Sequence, residues 1–492
     1  MSAESIETRF LTSTLVDRLR LVKDDTNASA LQGYFGDAAY ADYVKLADRL
    51  DENHLSWKAA KNLIFVPGVM GSMLQSQSKG GVWWIDPRTR LHINDLGLAP
   101  GGEQDANPEN AIIAFAVDTS YEPFLTAILA RDDFGHVGFP YDWRKPYKAN
   151  TGALKELLLK TYDANGNQPV HLVAHSMGGL MVRATLMEHG EELWPKLGRI
   201  VFIATPHYGA QAIGGYLKNH FWGFDLLALL GRYLSRETYR SLRGVLSLLP
   251  APSGVYPGTR TSDQQPWHSN NSNDPYIHPC ANFDMYKAED WKLDLTPLQT
   301  AELQEALSAV AKFHREMLDY HQSLTQELRD RMLVIAGVGF RTLFRLAYDT
   351  RFLGWWEYTD KITDRIPGSL HREGDGRVPL ASASLENVQI RYARGVHAGL
   401  PNIPAVYSDV FNWLNEKSLT LSDDAEAALG SHLAPGEDES EAPYLDGTSR
   451  KIPFTDDPGY WSLTQPKEET LDAVDAELNR GLKPEFINIR LL

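Results

Sequence analysis

The stretch Val170-His171-Leu172-Val173-Ala174-His175-Ser176-Met177-Gly178-Gly179-Leu180 decides the reading of this chain. An apolar run leads into a serine flanked by small residues, and Met181-Val182-Arg183-Ala184 continues as a helix. Strand, serine and helix in that order are the context in which a G-x-S-x-G-like match marks a nucleophile elbow. The turn must be sharp, so bulky neighbours would clash. Small residues at Ala174 and Gly178 let the strand swing into the helix and leave the Ser176 hydroxyl exposed. The first of them is Ala where the pattern usually has Gly. The plainer alternative is a serine that only caps a helix.

Outward from the elbow, further apolar strand candidates are Leu63 to Val66, Val137 to Phe139, Ile200 to Ala204, Leu333 to Val338 and Val388 to Tyr392. Helical patterns separate several of them, as at Tyr121 to Ala130 and Gly152 to Tyr162. Continuously apolar strands alternating with helices predict an α/β fold with a mostly parallel central sheet covered on both faces. Residues 207–330 break this rhythm. They hold the aromatic and Leu-rich run Phe221 to Leu230, a polar Asn/Ser/Pro-rich stretch around 257–279, and a long helical pattern from Pro297 to about Arg329. That is too long for a connection between two strands and reads as an inserted, largely helical cap or lid.

The expected organisation has a helical, amphipathic extension over 1–60, with Leu11, Leu15, Leu19 and Leu21 in one stretch and Tyr43, Leu46 and Leu50 in another. The core then falls in two parts, 61–206 and 331–414, around the insertion 207–330. Residues 415–492 form an acidic C-terminal extension with 17 acidic against 7 basic residues, Pro/Gly-rich near 434–443, and Phe486 to Leu491 is an edge-strand candidate within it.

With 492 residues the chain exceeds a typical single domain. Its net charge of −16 argues against a nucleic-acid-binding surface and against simple attraction to anionic membranes. The single cysteine, Cys280, cannot form an internal disulfide, which suits a reducing compartment. The start, Met1-Ser2-Ala3-Glu4-Ser5-Ile6-Glu7, lacks the basic and apolar parts of a secretory signal. No apolar run reaches the roughly 18 residues that span a bilayer. A cytoplasmic location is expected, with peripheral contact at lipid surfaces as the one membrane encounter left open. The histidines show no zinc-like spacing, so no metal or cofactor is expected.

A serine hydroxyl needs a base, normally His, held by a carboxylate. In α/β-hydrolases the chain order is Ser, Asp or Glu, then His. His397 fits best, in the short loop Gly395-Val396-His397-Ala398-Gly399 after a late strand; His371, His207 and His432 are less well placed. The acid is best read at Asp375 in Gly374-Asp375-Gly376-Arg377-Val378-Pro379, with Asp349 and Asp364 as competitors. Asp-Gly is in itself a common turn. An oxyanion hole needs two backbone N–H groups, one from the residue after the nucleophile, Met177, and one from a loop after an early strand. Val66-Pro67-Gly68-Val69-Met70-Gly71-Ser72 is that loop, with Val69 the first choice of donor and Met70 the second.

With these pieces placed, the chain resembles the lecithin:cholesterol acyltransferase family. The resemblance is carried by Val66 to Ser72, Phe139-Pro140-Tyr141-Asp142-Trp143-Arg144, Ala174 to Gly179, Ala204-Thr205-Pro206-His207-Tyr208-Gly209-Ala210, Gly374 to Pro379 and His397. Val82-Trp83-Trp84 and Leu246-Ser247-Leu248-Leu249-Pro250 also look like family elements. It implies an α/β-hydrolase with a lid, acting on acyl esters of lipids by hydrolysis or acyl transfer. Ser176, Asp375 and His397 would be the triad, and Val69 and Met177 the oxyanion donors. Read from the residues alone, Asp142, Trp143 and Arg144 are structural, with Arg144 paired to a carboxylate. The chain departs from secreted and lysosomal relatives, which carry disulfides near the lid.

Phe221 and Trp222 are candidates for covering an acyl pocket, and Trp83 and Trp84, beside glycines, for interfacial anchors; ordinary core packing explains either pair as well. Met70 completes the substrate-side candidates. Three functions are compatible with these residues: a serine esterase or lipase, an O-acyltransferase using the same site, and a non-catalytic lipid-binding protein on a hydrolase scaffold.

Overall fold

In the computed structural model the described residues are 6–11, 15–35, 37, 40, 41, 43–45, 47, 48, 61–84, 87–131, 133–217, 234–259, 283–344, 348–352, 356–362 and 371–429. The apolar runs form six strands: β1 (Lys61–Val66), β2 (Phe134–Gly138), β3 (Val170–His175), β4 (Leu197–Ile203), β5 (Met332–Val338) and β6 (Gln389–Arg394). They lie in one sheet in the order β6-β5-β4-β3-β1-β2, with every neighbouring pair parallel. Five of the six match the expected strands closely; β2 starts earlier than expected, at Phe134, and ends before Phe139.

Alternate residues of these strands feed two hydrophobic layers, because successive side chains point to opposite faces. Ile64, Val66, Leu172, Ala174, Ile200, Phe202 and Val334 face one layer, packed with Leu154 and Leu158 of α2 (Lys148–Ala164) and Leu180 of α3 (Met177–Leu193). Leu63, Phe65, Val173, Val201, Ile203 and Ile335 face the other, packed with Phe124 of α1 (Glu122–Leu129) and Val406 and Val410 of α5 (Pro404–Leu414). This two-sided burial is why the strands read as unbroken apolar runs instead of alternating ones.

Smaller antiparallel sheets stand beside that sheet, and two of them bear on the site. Ser72–Ser76 pairs antiparallel with Val82–Trp84 and with Ile112–Val117, forming a small three-stranded sheet after β1. Phe340–Leu343 pairs antiparallel with His371–Gly374, which delivers the chain to Asp375. Within 207–330, the long helical pattern is α4 (Pro297–Ser323), followed by a short helix at Gln326–Arg329. The break falls at Leu324, whose extended backbone (ψ 139°) ends α4, and Thr325 caps the next helix through Leu328 N–H. The described part of this segment shares the main core: Leu303, Leu307 and Val310 pack in the same layer as β3 and α3.

The N-terminal region is helical where described, at Ile6–Leu11, Leu15–Lys23 and Ala28–Phe35, with its own small core around Phe10, Leu19, Val22 and Leu31. The runs Phe221 to Leu230 and Phe486 to Leu491, and Cys280, lie outside the described residues. Among the described residues, no helix is long and apolar enough to cross a membrane.

Candidate active site

β3 ends at His175 and α3 begins at Met177, so Ser176 alone makes the turn. Its backbone is forced to φ 52°, ψ −126°, a region costly for a residue with a Cβ. The strain falls on Ser176 and not on Ala174, a fully buried strand residue paired with Val66 and Phe202. Ala therefore suffices there. The demand for glycine sits instead at Gly178, where a Cβ would lie 2.3 Å from the Val66 carbonyl oxygen. The start of α3 is pressed against the end of β1.

The loops after β5 and β6 bring the other two residues to this turn. Asp375 follows the Phe340–Leu343/His371–Gly374 hairpin, and its Oδ1 accepts from the amides of Arg377 (2.9 Å) and Val378 (2.7 Å). That fixes the carboxylate with Oδ2 facing His397 Nδ1 at 2.8 Å. A carboxylate only accepts, so Nδ1 carries the proton, and Nε2 accepts from the Ser176 hydroxyl at 2.8 Å. The His397 amide also donates to the Asp375 carbonyl at 2.9 Å. Asp375 is 2 % exposed and Ser176 4 %. Serine, histidine and aspartate, far apart in sequence, are thus joined by two short, direct hydrogen bonds. Such an arrangement can take a proton from the hydroxyl and hold the resulting imidazolium.

The loop after β1 lies against the same turn. Gly68 N–H donates to the Tyr121 hydroxyl (2.9 Å) and Gly71 N–H to the Gly68 carbonyl (3.1 Å). Among the described residues, no acceptor engages the amides of Val69, Met70 or Met177. Met70 has φ 62°, and its carbonyl is held by Trp84 Nε1 at 2.9 Å. At the loop's far end the Ser72 hydroxyl accepts from Tyr141 N–H (3.0 Å) and its carbonyl from Trp143 Nε1 (3.1 Å).

The two tryptophans are therefore placed differently from interfacial anchors. Trp84 is buried, edge-on to Trp143 and bonded to the loop; Trp83 is buried and stacks on His92 at 4.5 Å. Core packing is their observed state, which corrects the surface position considered for them, because the small antiparallel sheet folds them inward. Phe221 and Trp222 fall outside the described residues. Of the competing residues, His207 is buried beside Arg183, 3.4 Å from its Nη1, and Asp364 and His432 lie outside the described residues. Arg144 meets carboxylates as its motif suggested: it bonds Asp142 (2.6 and 2.8 Å) and also Asp105 (2.9 Å).

Sequence reasoning missed two neighbours of the site. The Tyr121 hydroxyl lies 2.7 Å from His175 Nδ1, and His175 Nε2 lies 3.0 Å from the His397 carbonyl oxygen. His175 stands inside the elbow and could have been questioned for that reason. Tyr121 carries no sequence signal.

A parallel sheet with a strand–serine–helix turn, and with an Asp and a His on the loops after later strands, defines an α/β-hydrolase. The sequence profile of the lecithin:cholesterol acyltransferase family matches residues 130–393, more than half of the chain. The chain belongs to that family. A curated relative from Arabidopsis thaliana, phospholipase A(1) LCAT3, is 23% identical over 298 residues, 56% of this chain and 65% of that protein. An uncharacterised Saccharomyces cerevisiae protein, YJR098C, is 20% identical over 310 residues, 60% of this chain and 43% of its own. The chain thus spans less than two thirds of either relative. Among solved structures, it is similar to a chain of the Tle4–Tli4 complex (15% identity, TM-score 0.44, 73% of this chain and 97% of that one). It is also similar to the mature Bacillus licheniformis lipase BlEst2 (14% identity, TM-score 0.32, 69% and 85%).

Proposed function

We propose that the protein is a serine-dependent acyl-ester hydrolase for lipid esters, working through an acyl-enzyme. The observation that carries this reading is the continuous contact Ser176 Oγ–His397 Nε2–Nδ1–Asp375 Oδ2, 2.8 Å at each link, at the turn between β3 and α3. His397 takes the Ser176 proton as Oγ bonds to the ester carbonyl carbon, and Asp375 stabilises the imidazolium without taking its proton. The open amides of Met177 and Val69, with Met70 as the second choice on that loop, receive the carbonyl oxygen as it becomes an oxyanion; one such donor contributes about 3–4 kcal/mol to the transition state. His397 returns the proton to the leaving alcohol as the C–O bond breaks. A water, deprotonated by His397 in turn, then releases the acyl group and restores Ser176.

Family membership favours a lipid acyl ester over a peptide or a small soluble ester, and Phospholipase A(1) LCAT3 is a relative of that kind. It also favours a second reading, in which an alcohol replaces water in the last step and the enzyme is an O-acyltransferase. In both readings residues 207–330 are the proposed cap, and Phe221 and Trp222 remain its candidate acyl-chain residues.

A fluorophosphonate probe and an ester panel, from short p-nitrophenyl esters to phospholipids, test the proposal on wild type and Ser176→Ala. Wild type is expected to be labelled and to prefer long-chain substrates, and Ser176→Ala to lose both activities. An unlabelled wild type would end the enzyme reading. Preference for short soluble esters would remove the lipid assignment alone. Adding a long-chain alcohol and finding its ester among the products would select acyl transfer.

A further inference from the structure

Tyr121 and His175 lie behind the site, and their hydrogen bonds can be assigned almost completely from donor and acceptor capacities. The His397 carbonyl can only accept, so His175 Nε2 carries a proton and donates to it at 3.0 Å. Neutral imidazole then has an acceptor at Nδ1, which faces the Tyr121 hydroxyl at 2.7 Å. The tyrosine therefore donates to Nδ1, and its oxygen accepts from Gly68 N–H at 2.9 Å. Every member is in the form that burial favours. Desolvation pushes His175 well below the ordinary histidine range, with the neighbouring His397 adding to the effect, and desolvation raises the Tyr121 phenol.

The chain of bonds runs Gly68 N–H to Tyr121 O–H to His175, and from His175 N–H to the His397 carbonyl. It joins the loop after β1 to the loop after β6 through the residue that precedes Ser176. His397 is thus held three times: its side chain and its amide by Asp375, and its carbonyl by His175. Gly68 is pressed so close that a Cβ there would lie 2.9 Å from Ser176 Cβ and 3.2 Å from the Tyr121 oxygen. Tyr121 is anchored from outside the sheet as well. The next residue, Glu122, accepts from Tyr43 and from Arg18 (2.5 Å), both in the N-terminal helical region. Arg18 also reaches Met73 Sδ at 3.9 Å, just beyond the loop.

We propose that Tyr121 and His175 are positioning residues, a relay that sets the oxyanion loop and the base loop in register with Ser176. The inference rests on the catalytic reading of Ser176, His397 and Asp375. Neither side chain exchanges a proton with substrate, so the relay acts on geometry and leaves substrate affinity alone. A displacement of about 1 Å in such a site is enough to cost on the order of a hundredfold in rate.

The test uses the full chain, a p-nitrophenyl ester for kcat and KM, and the rate of fluorophosphonate labelling. Tyr121→Phe keeps the ring and removes the relay's middle oxygen. It is expected to lower kcat and the labelling rate by about ten- to a hundredfold, with KM within about twofold. His175→Leu should fall similarly, and His175→Gln, which can still donate to the His397 carbonyl, should recover part of the loss. The pair Tyr121→Phe with His175→Leu should cost little more than either alone, because both break one chain. A Tyr121→Phe kcat within about twofold of wild type overturns the relay, as do single losses that multiply in the double variant. Should Tyr121→Phe not fold, the contrast between His175→Gln and His175→Leu decides alone: equal kcat values in those two overturn the proposal. Activity surviving in Ser176→Ala overturns the catalytic reading, and the relay with it; a dead Ser176→Ala beside a normal Tyr121→Phe removes the relay only.

Discussion

Arg144, on the loop after β2, and Arg183, in the second turn of α3, are both almost fully buried. Arg144 bonds two carboxylates, Asp142 and Asp105, and the Leu96 carbonyl (2.9 Å). Burial alone would pull its pKa down, but the charges and hydrogen bonds of Asp142 and Asp105 raise it. Arg183 has no carboxylate among the described residues. It donates to the carbonyls of His207 (3.2 Å) and Met317 (3.3 Å), and burial lowers its pKa to about 10. The first is a closed ionic staple that ties the Tyr141-Asp142-Trp143-Arg144 turn to the segment between Val82–Trp84 and Ile112–Val117 of the three-stranded sheet. The second is a bare charge held by dipoles, and it ties α3 to α4 through the Met317 carbonyl. A staple with its counter-ions is indifferent to its neighbours. A bare charge requires that they stay neutral.

The difference can be broken by substitution. Arg144→Met strands two buried carboxylates, and a loss of about 3–5 kcal/mol in denaturant unfolding is expected. Arg183→Met leaves two carbonyls and the His207 Nδ1 short of a donor while relieving an unpaired buried cation. The two effects oppose, so the net loss should stay below about 1.5 kcal/mol. Equal losses in the two variants would show that Arg183 has an ionic partner after all.

Acid should separate the regions further. His207 is driven well below the usual histidine range by burial first and by the Arg183 charge second; His314 falls to about 4 through burial, while its bond to the Leu249 carbonyl (2.9 Å) pulls the other way. Folded pKa values below the unfolded 6.5 mean that the unfolded chain binds more protons between the two. Their contribution to stability is complete above about 6.5 and is lost as pH falls toward 4. The measurement is unfolding free energy against pH. His314→Gln, expected to be nearly neutral at pH 7, should flatten the slope by up to about 1.4 kcal/mol per pH unit in that window. An unchanged slope would mean that His314 is protonated alike in both states.

Much of the fold is legible in the chain because β1, β3, β4 and β5 are buried on both faces and therefore continuously apolar. Ser176 and His397 are legible because each sits in a short turn flanked by small residues after a strand, and Asp375 because glycines flank it and it falls between the two in chain order. The three-stranded sheet is not: Val82–Trp84 is three residues long, and its pairing with Ser72–Ser76 leaves no period to read. That sheet is what turns Trp84 inward and makes it a brace for Met70. Arg144 announces a need for a carboxylate, and Asp142 answers within its motif, but Asp105 is a partner that only folding supplies.

What the sequence by itself determined was local: which runs must be strands, where the chain must turn tightly, and the order Ser176, Asp375, His397. Tertiary structure alone decided which groups meet across long stretches of chain, the Tyr121–His175–His397 bonds above all. The physical reason is that burial and turn chemistry write themselves into neighbouring residues, whereas a hydrogen bond between distant segments needs only one donor and one acceptor, and a lone Tyr or His looks the same with or without its partner.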